Sequence, residues 1–153
     1  MPALILVGVI AGGLVLAVLW RGPRRVTEVP LSPDRLIASH AAGADYVDNY
    51  RAESSASSTL DIDSVEAAAL QKGHLVARSE REVVYRDKAP GLVFFVSYAL
   101  VAVDGTTGLE LATIVHIERW KGHIYFSLVC PIHRFGLPWL TKYTLQRAAS
   151  RAQ

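Results

Sequence analysis

Cysteine is almost missing from this chain, since Cys130 is the only one among 153 residues. A single thiol excludes an intramolecular disulfide and any metal site built from several cysteines. Cys130 lies in the apolar run IYFSLVCPI, which is typical of a buried and unreactive thiol. A charge excess is also missing, because 16 Lys and Arg face 14 Asp and Glu, for a net charge of +2. That balance predicts no nucleic-acid partner.

Catalytic and phosphate-binding motifs are missing as well. The sequence has no GxSxG nucleophile elbow, and its Gly-Thr-Thr-Gly at 105–108 lacks the lysine of a phosphate-binding loop. His116, His123 and His133 stand seven and ten residues apart, which matches no common metal-ligand spacing. We therefore predict no metal, no cofactor and no catalytic residue. An enzyme of the cyclase or hydrolase type remains only as a third alternative for the function.

Charged side chains are absent from residues 3–20, ALILVGVIAGGLVLAVLW. Eighteen helical residues rise ~27 Å, close to the thickness of a bilayer core. No basic residue precedes the stretch and LAVLWRGP follows it, which argues against a cleaved signal peptide. A helix buried in protein is the other alternative. We predict a transmembrane anchor over residues 1–20, in which Gly8 and Gly12 form a GxxxG spacing that would allow homodimers.

Interfacial residues follow the predicted anchor. Trp20 suits the boundary between membrane and water, and Arg21, Arg24 and Arg25 suit phospholipid head groups. The positive-inside rule then places the rest of the chain in the cytoplasm, against the inner face of the cell membrane. The lipid bilayer is thus the first predicted partner.

The segment after the anchor holds three prolines in residues 21–33 and no apolar period, so we predict an extended juxtamembrane linker. A domain over residues 34–150 follows. Ser32 and Pro33 resemble the N-cap and first position of a short helix that reaches His40. Residues 46–52 alternate apolar and polar side chains, which predicts a strand.

The next element is a short helix. Asp63 and Glu66 resemble a capping box at its start, and Gly73 closes it.

The second half of the chain changes to strand periodicity. Three segments are rich in Val, Ile, Tyr and Phe: Leu75–Asp87, Leu92–Val103 and Leu109–Trp120. The turn signal at 104–108 makes the last two an antiparallel hairpin. The helix that covers the sheet is predicted over Gly122–Ala149, where Ile124, Tyr125, Leu128 and Val129 keep helical spacing. Pro131 and Pro138 predict a kinked helix or two helices. The predicted fold class is α+β, an antiparallel sheet packed against a long, kinked C-terminal helix and preceded by one transmembrane helix.

Two segments resemble a known family. ADYVDNYR at 44–51 and GHIYFSLVCPIHR at 122–134 are similar to the start and end of the domain of unknown function 2867. The resemblance covers about residues 40–150 and implies a helix-grip-like fold, related to the START-like group that holds lipophilic ligands. It implies no established activity. The chain departs from the family in its N-terminal anchor and in the serine-rich loop at 54–58.

The pair His133-Arg134 belongs to the second of these motifs. An imidazole beside a guanidinium can bind a carboxylate or a phosphate. The alternative is structural, with Arg134 bonding backbone carbonyls or Glu118 near a helix kink.

Two functions follow as hypotheses. In the first, sheet and helix enclose a pocket for a lipophilic small molecule. Its predicted lining is Phe94, Val96, Tyr98, Ile114, Tyr125 and Phe126. In the second, the core is filled and the protein is a membrane-tethered interaction or scaffold protein that binds a partner or anionic head groups. The residues predicted for that contact are Trp139, Lys142, Tyr143, Arg147 and Arg151. A cavity above about 300 Å³ between the sheet and the helix favours the first hypothesis, and a close-packed interior favours the second.

Overall fold

The computed structural model describes residues 26–54, 60–70 and 73–151. The strands are β1 (Val26–Glu28), β2 (Tyr46–Glu53), β3 (His74–Arg78), β4 (Glu82–Ala89), β5 (Leu92–Val103) and β6 (Thr106–Ile117), and the helices are a 3-10 helix (Leu36–His40), α1 (Ile62–Ala68) and α2 (Trp120–Ala149). The predicted anchor lies outside the described residues, with Gly8, Gly12, Trp20, Arg21, Arg24 and Arg25. Within the described ranges, no helix is long and apolar enough to cross a membrane.

The six strands form one antiparallel sheet in the order β1-β2-β6-β5-β4-β3. Its centre is the predicted hairpin, in which Leu92 pairs with Ile117 and Val103 with Thr106. Asp104 and Gly105 connect the two strands with φ angles of 46° and 80°. Because this left-handed turn has only two residues, strand pairing resumes directly after it. Strand β6 therefore begins at Thr106 rather than at the predicted Leu109. The α+β class and the long C-terminal helix are confirmed.

The sheet is covered on both faces. Side chains alternate along each strand, so one set points to the face under α2, here called the α2 face, and the other to the face under the 3-10 helix, here called the 3-10 face. The buried core of the α2 face includes Tyr50, Val83, Val96, Tyr98, Leu111, Leu137 and Leu145, and that of the 3-10 face is formed by Ile37, Val84, Val93, Phe95, Ala112 and Ile114.

Both short helices begin elsewhere than predicted. The N-cap of α1 is Asp61, whose carboxylate accepts a hydrogen bond from the backbone N–H of Ser64 at 2.7 Å, and the helix ends at Ala68. The 3-10 helix begins at Leu36 rather than near Pro33, because its first N–H donates to the distant Glu82 carboxylate at 2.6 Å. A local capping pattern cannot reveal a partner 46 residues away.

Three further segments differ from the sequence prediction. Val26–Glu28, inside the predicted linker, pairs with β2 and belongs to the sheet. The predicted strand Leu75–Asp87 divides into β3 and β4, because the Ser79 hydroxyl accepts from the backbone N–H of Glu82 at 3.0 Å and closes a turn. Helix α2 is continuous through both of its prolines, so it is one helix and not two.

A close contact between two glycines sets where α2 begins. The Gly91 carbonyl accepts hydrogen bonds from the backbone N–H groups of Glu118 and Arg119, at 2.9 and 3.1 Å. A Cβ on Gly122 would lie 2.2 Å from that same oxygen, which is shorter than any real contact. Glycine is therefore required at position 122, and this contact holds the first turn of α2 against the turn between β4 and β5.

Candidate functional site

The six residues predicted to line a lipophilic pocket do not all lie on one side of the sheet. Val96 pairs with Thr113 and Phe95 with Ile114, so Ile114 points to the 3-10 face while Val96 points to the α2 face. Tyr98 is fully buried in the core, and Phe94 packs against the same cluster. The prediction that Ile114 joins these residues is wrong, because neighbouring positions of a strand face opposite sides.

The interior between the sheet and the second half of α2 is packed with side chains. The helix residues that point inward are almost completely buried: Leu137, Thr141, Thr144, Leu145 and Ala148. An open depression lies on the other face, with a volume of about 630 Å³ and a lining that includes Leu31, Leu36 and Val47. Tyr125 and Phe126 are half-buried on the first half of α2.

The pair His133-Arg134 does not form a joint site. Consecutive residues of a helix point about 100° apart. His133 turns inward, where its Nε2 lies 3.7 Å from Oδ2 of Asp48. Arg134 is exposed beside Tyr46, whose phenol raises the pKa of the Arg134 guanidinium. The two side chains therefore cannot clamp one anion between them in this arrangement.

The other two histidines lie apart from His133. His116 is on the 3-10 face, where its Nε2 is 2.8 Å from the His40 carbonyl oxygen. His123 is exposed in the first turns of α2. In the ranges that the structure describes, no three His, Cys, Asp or Glu side chains are grouped as a metal site would require.

A buried polar cluster lies under the middle of α2. Its centre is Asp48 on β2, which is 3% exposed and accepts a hydrogen bond from the Tyr46 hydroxyl at 2.9 Å. Thr113 is the register partner of Asp48 on β6, but its hydroxyl falls short of hydrogen-bond geometry. Asp48 Oδ1, Thr113 Oγ1 and His133 Nε2 are all buried without a hydrogen-bond partner. Burying polar atoms without hydrogen-bond partners costs free energy, so this cluster lowers the stability of the contact between α2 and the sheet.

Burial shifts the pKa values of the two titratable groups of this cluster in opposite directions. Burial, with a smaller contribution from the negative charge of Glu28, raises the pKa of Asp48 to about 6, although the hydrogen bond from Tyr46 lowers it. Burial lowers the pKa of His133 to about 4. At neutral pH the cluster therefore holds an ionised carboxylate beside a neutral imidazole. Burial and the neighbouring Asp48 also raise the pKa of the Tyr46 phenol, so Tyr46 remains a hydrogen-bond donor.

A second polar cluster, on the 3-10 face, was not found from the sequence. Arg35 donates to Glu82 at 3.0 Å, to Glu110 at 2.5 Å and to the Ser97 hydroxyl at 2.8 Å. Arg51 donates to the other oxygen of Glu110 at 2.9 and 2.6 Å. Although burial raises the pKa of Glu110, hydrogen bonds and the two arginine charges hold that pKa below its ordinary value.

This second cluster is structural. The side chains of Arg35, Glu82 and Glu110 are 8%, 6% and 3% exposed, and each carboxylate oxygen has a donor. The Glu82 carboxylate also binds the N–H groups of Leu36 and Ile37. Arg35 thus fastens the 3-10 helix to the centre of the sheet. Alternation in β4 and β6 could have placed both glutamates on one face, but nothing near Arg35 in sequence identifies it as their partner.

The outward side of α2 carries a stripe of large apolar residues. We call it the outer stripe; it consists of Trp120, Ile124, Leu128, Ile132 and Phe135. Leu128 is 70% exposed and Phe135 69%, although both are hydrophobic. The spacing of four, four, four and three residues keeps all five on the side away from the sheet. Ile124 and Leu128, which keep the helical spacing of the predicted covering helix, therefore point away from the sheet. The sequence did not show this, because this part of the helix is apolar on every side and its period cannot select one.

The charges of α2 are all of one sign. The helix carries Lys121, Arg134, Lys142 and Arg147, and its sequence contains no Asp or Glu. Lys121 stands seven residues before Leu128 and Lys142 seven after Phe135, so both lysines lie on the side of the outer stripe. Contiguous exposed apolar surface with polar borders marks an interaction site more often than isolated exposed residues do.

The residues predicted for a partner contact are grouped beyond the end of the outer stripe. The rings of Trp139 and Tyr143 stack at 5.0 Å, and Arg147 donates to the Tyr143 hydroxyl at 3.1 Å. Arg151 is exposed just after the helix. These aromatic and basic side chains extend the apolar, basic character of α2 to its C-terminus.

No family model matches the chain, and the search of curated proteins finds no match. The fold defines the class instead, as an α+β domain in which a six-stranded antiparallel sheet packs against a long C-terminal helix. The helix-grip-like relationship implied by the motifs stays a prediction. The candidate functional surface is the outer stripe with its basic borders, and the Asp48–His133 cluster lies directly beneath the same helix.

Proposed function

We propose that this protein is a single-pass membrane protein whose C-terminal domain works at the cytoplasmic face of the cell membrane as an interaction module. One observation carries the proposal: α2 exposes five large apolar side chains in one stripe. Burying such a stripe against a partner removes a cost that the isolated domain bears in water.

The packed interior supports this function over a lipophilic-ligand carrier. Val96, Tyr98 and Leu111 are 0–2% exposed beneath α2, and Leu137 and Leu145 fill the space from the helix side. A ligand of drug size needs a pocket of roughly 300 Å³ or more. To open one here, α2 would have to separate from the sheet and expose its core.

The order of the elements supports a helix-grip-like fold as part of the proposal. In the sheet, β2, β6, β5, β4 and β3 are neighbours in that order. Along the chain, α1 lies between β2 and β3, and α2 follows β6. In this proposal the helix that would close a ligand cavity in a helix-grip protein instead presents its outer side to a partner.

Photo-crosslinking from the full-length protein in native membranes tests the proposed function. A photoreactive amino acid at Leu128 is expected to give adducts several-fold more often than one at Ser39. Ser39 is the matched control because it is exposed on the 3-10 helix, at the opposite face of the sheet. Equal and low yields at both positions, with a small molecule retained by the protein in native mass spectrometry, would instead favour the lipophilic-ligand function.

A further inference from the structure

We infer that the partner of the outer stripe is the anionic surface of the membrane itself, into which α2 inserts its apolar side chains lengthwise. This inference rests on the proposed function, because it names the partner of the same surface. The occupant is the lipid bilayer, and a protein partner is an alternative outcome of the test below.

The chemistry of α2 matches a bilayer interface on two counts. Trp120, Leu128 and Phe135 offer an aromatic and aliphatic face of the kind that interfacial helices bury among acyl chains. Lys121 and Lys142 border that face, and no acidic residue on α2 opposes them. Anionic head groups attract such lysines, whereas a protein partner would have to supply a matching acidic rim.

The length of chain before β1 keeps α2 close to the membrane. If the anchor ends at residue 20, at most the five residues 21–25 separate it from Val26, the first residue of β1. The six Cα–Cα steps from residue 20 to Val26 span no more than about 22 Å when fully extended. Because β1 contacts α2, the helix cannot lie far from the head groups. A tether this short makes docking intramolecular, with an effective concentration on the order of millimolar.

The aromatic residues give the orientation of the docked helix. Trp120 is 67% exposed at the start of α2, and Trp139 stacks on Tyr143 near its end. Tryptophan and tyrosine rings prefer the level of the head groups. With such rings at both ends and the outer stripe between them, α2 is expected to lie parallel to the membrane surface.

The experiment uses the full-length protein with Cys130→Ser and Leu128→Cys, the new thiol carrying an environment-sensitive fluorophore. The protein is placed in lipid nanodiscs of phosphatidylcholine alone, or of phosphatidylcholine with phosphatidylglycerol, each containing a lipid-linked quencher. We expect at least twofold stronger quenching with phosphatidylglycerol present. The same fluorophore on Ser39→Cys is expected to stay unquenched in both lipids.

Charge variants show whether head groups are recognised. Lys121→Gln and Lys142→Gln are each expected to lower the docking equilibrium about fivefold. Arg86→Gln is the matched control, because Arg86 is exposed on the 3-10 face near His40. Quenching that is equal in both lipids and insensitive to the lysine variants would overturn the inference.

The outcomes separate the inference from the proposed function. No quenching in nanodiscs, together with protein adducts from Leu128 in native membranes, would overturn lipid docking but leave an interaction module with a protein partner. No quenching and no adducts would overturn both.

Discussion

Replacing Arg35 by methionine is expected to lower the free energy of unfolding by about 3–5 kcal/mol, because two buried carboxylates lose their shared cation. Glu82 and Glu110 would keep the cost of burial without the charge that compensates it. Methionine retains most of the aliphatic packing of the arginine, so the loss of stability measures the loss of the charged interactions. Thermal unfolding of the full-length protein in detergent measures it, with a drop of roughly 10–20 °C in Tm.

Arg51→Met is the matched control for this prediction. Arg51 donates to the same Glu110 but is 33% exposed, and Arg35 and Asn49 would still bind that carboxylate. We expect a loss of about 1 kcal/mol or less. Combining Arg35→Met with Glu82→Gln and Glu110→Gln is expected to restore part of the lost stability, since the unpaired charges are removed. A loss for Arg35→Met no larger than that for Arg51→Met would contradict the structural role given to this cluster.

Asp48→Asn is expected to stabilise the protein at pH 7, although it alters a buried and hydrogen-bonded side chain. Burial raises the pKa of Asp48 from 3.8 to about 6, so the ionised form is disfavoured in the folded state. Two pKa units correspond to about 3 kcal/mol, which is an upper figure for the gain. Asparagine is nearly isosteric and still accepts the hydrogen bond from Tyr46. An increase in Tm of up to roughly 10 °C at pH 7 is the expected result.

The dependence on pH has opposite signs for the two residues of the cluster. The folded pKa of Asp48 is above its unfolded value, so its contribution to stability is complete below pH 3.8 and is lost as pH rises through about 6. The folded pKa of His133 is below its unfolded value of 6.5, so its contribution is present above pH 6.5 and is lost as pH falls through about 4. Between pH 4 and 6.5 the two effects oppose each other in the native protein.

Single substitutions are expected to reveal each effect alone. With Asp48→Asn, Tm should fall as pH is lowered from 6.5 to 4, because only His133 remains. With His133→Gln, Tm should fall as pH is raised from 4 to 6, because only Asp48 remains. Two variants with the same pH profile would show that the cluster is not buried as described.

The central hairpin and the overall class could be predicted from sequence because their signals are local. Two long runs of β-branched and aromatic residues flank Asp104-Gly105, and any sheet with that hairpin needs a helix over its apolar face. The long apolar segment after Trp120 supplies it. These features depend on alternation, turn chemistry and segment length, each of which can be recognised from residues that are close together in the sequence.

The sites could not be predicted because they depend on register and on distant contacts. A shift of one residue decides whether Ile114 or Thr113 faces α2, and the sequence does not give the pairing of strands. The partner of Glu82 is 47 residues away at Arg35. In the same way, an α-helix that is apolar on every side does not show whether Leu128 points to the core or to a partner.

Thiol accessibility along α2 in native membranes tests the interaction face most directly. The measurement uses full-length Cys130→Ser protein in vesicles with the cytoplasmic face outward, carrying cysteine at Ile124, Leu128, Phe135 or, as control, Ser39. We expect the three outer-stripe positions to react at least tenfold more slowly than position 39, although the isolated domain exposes them. Equal, fast reaction at all four positions would contradict it, because the outer stripe would then face only water.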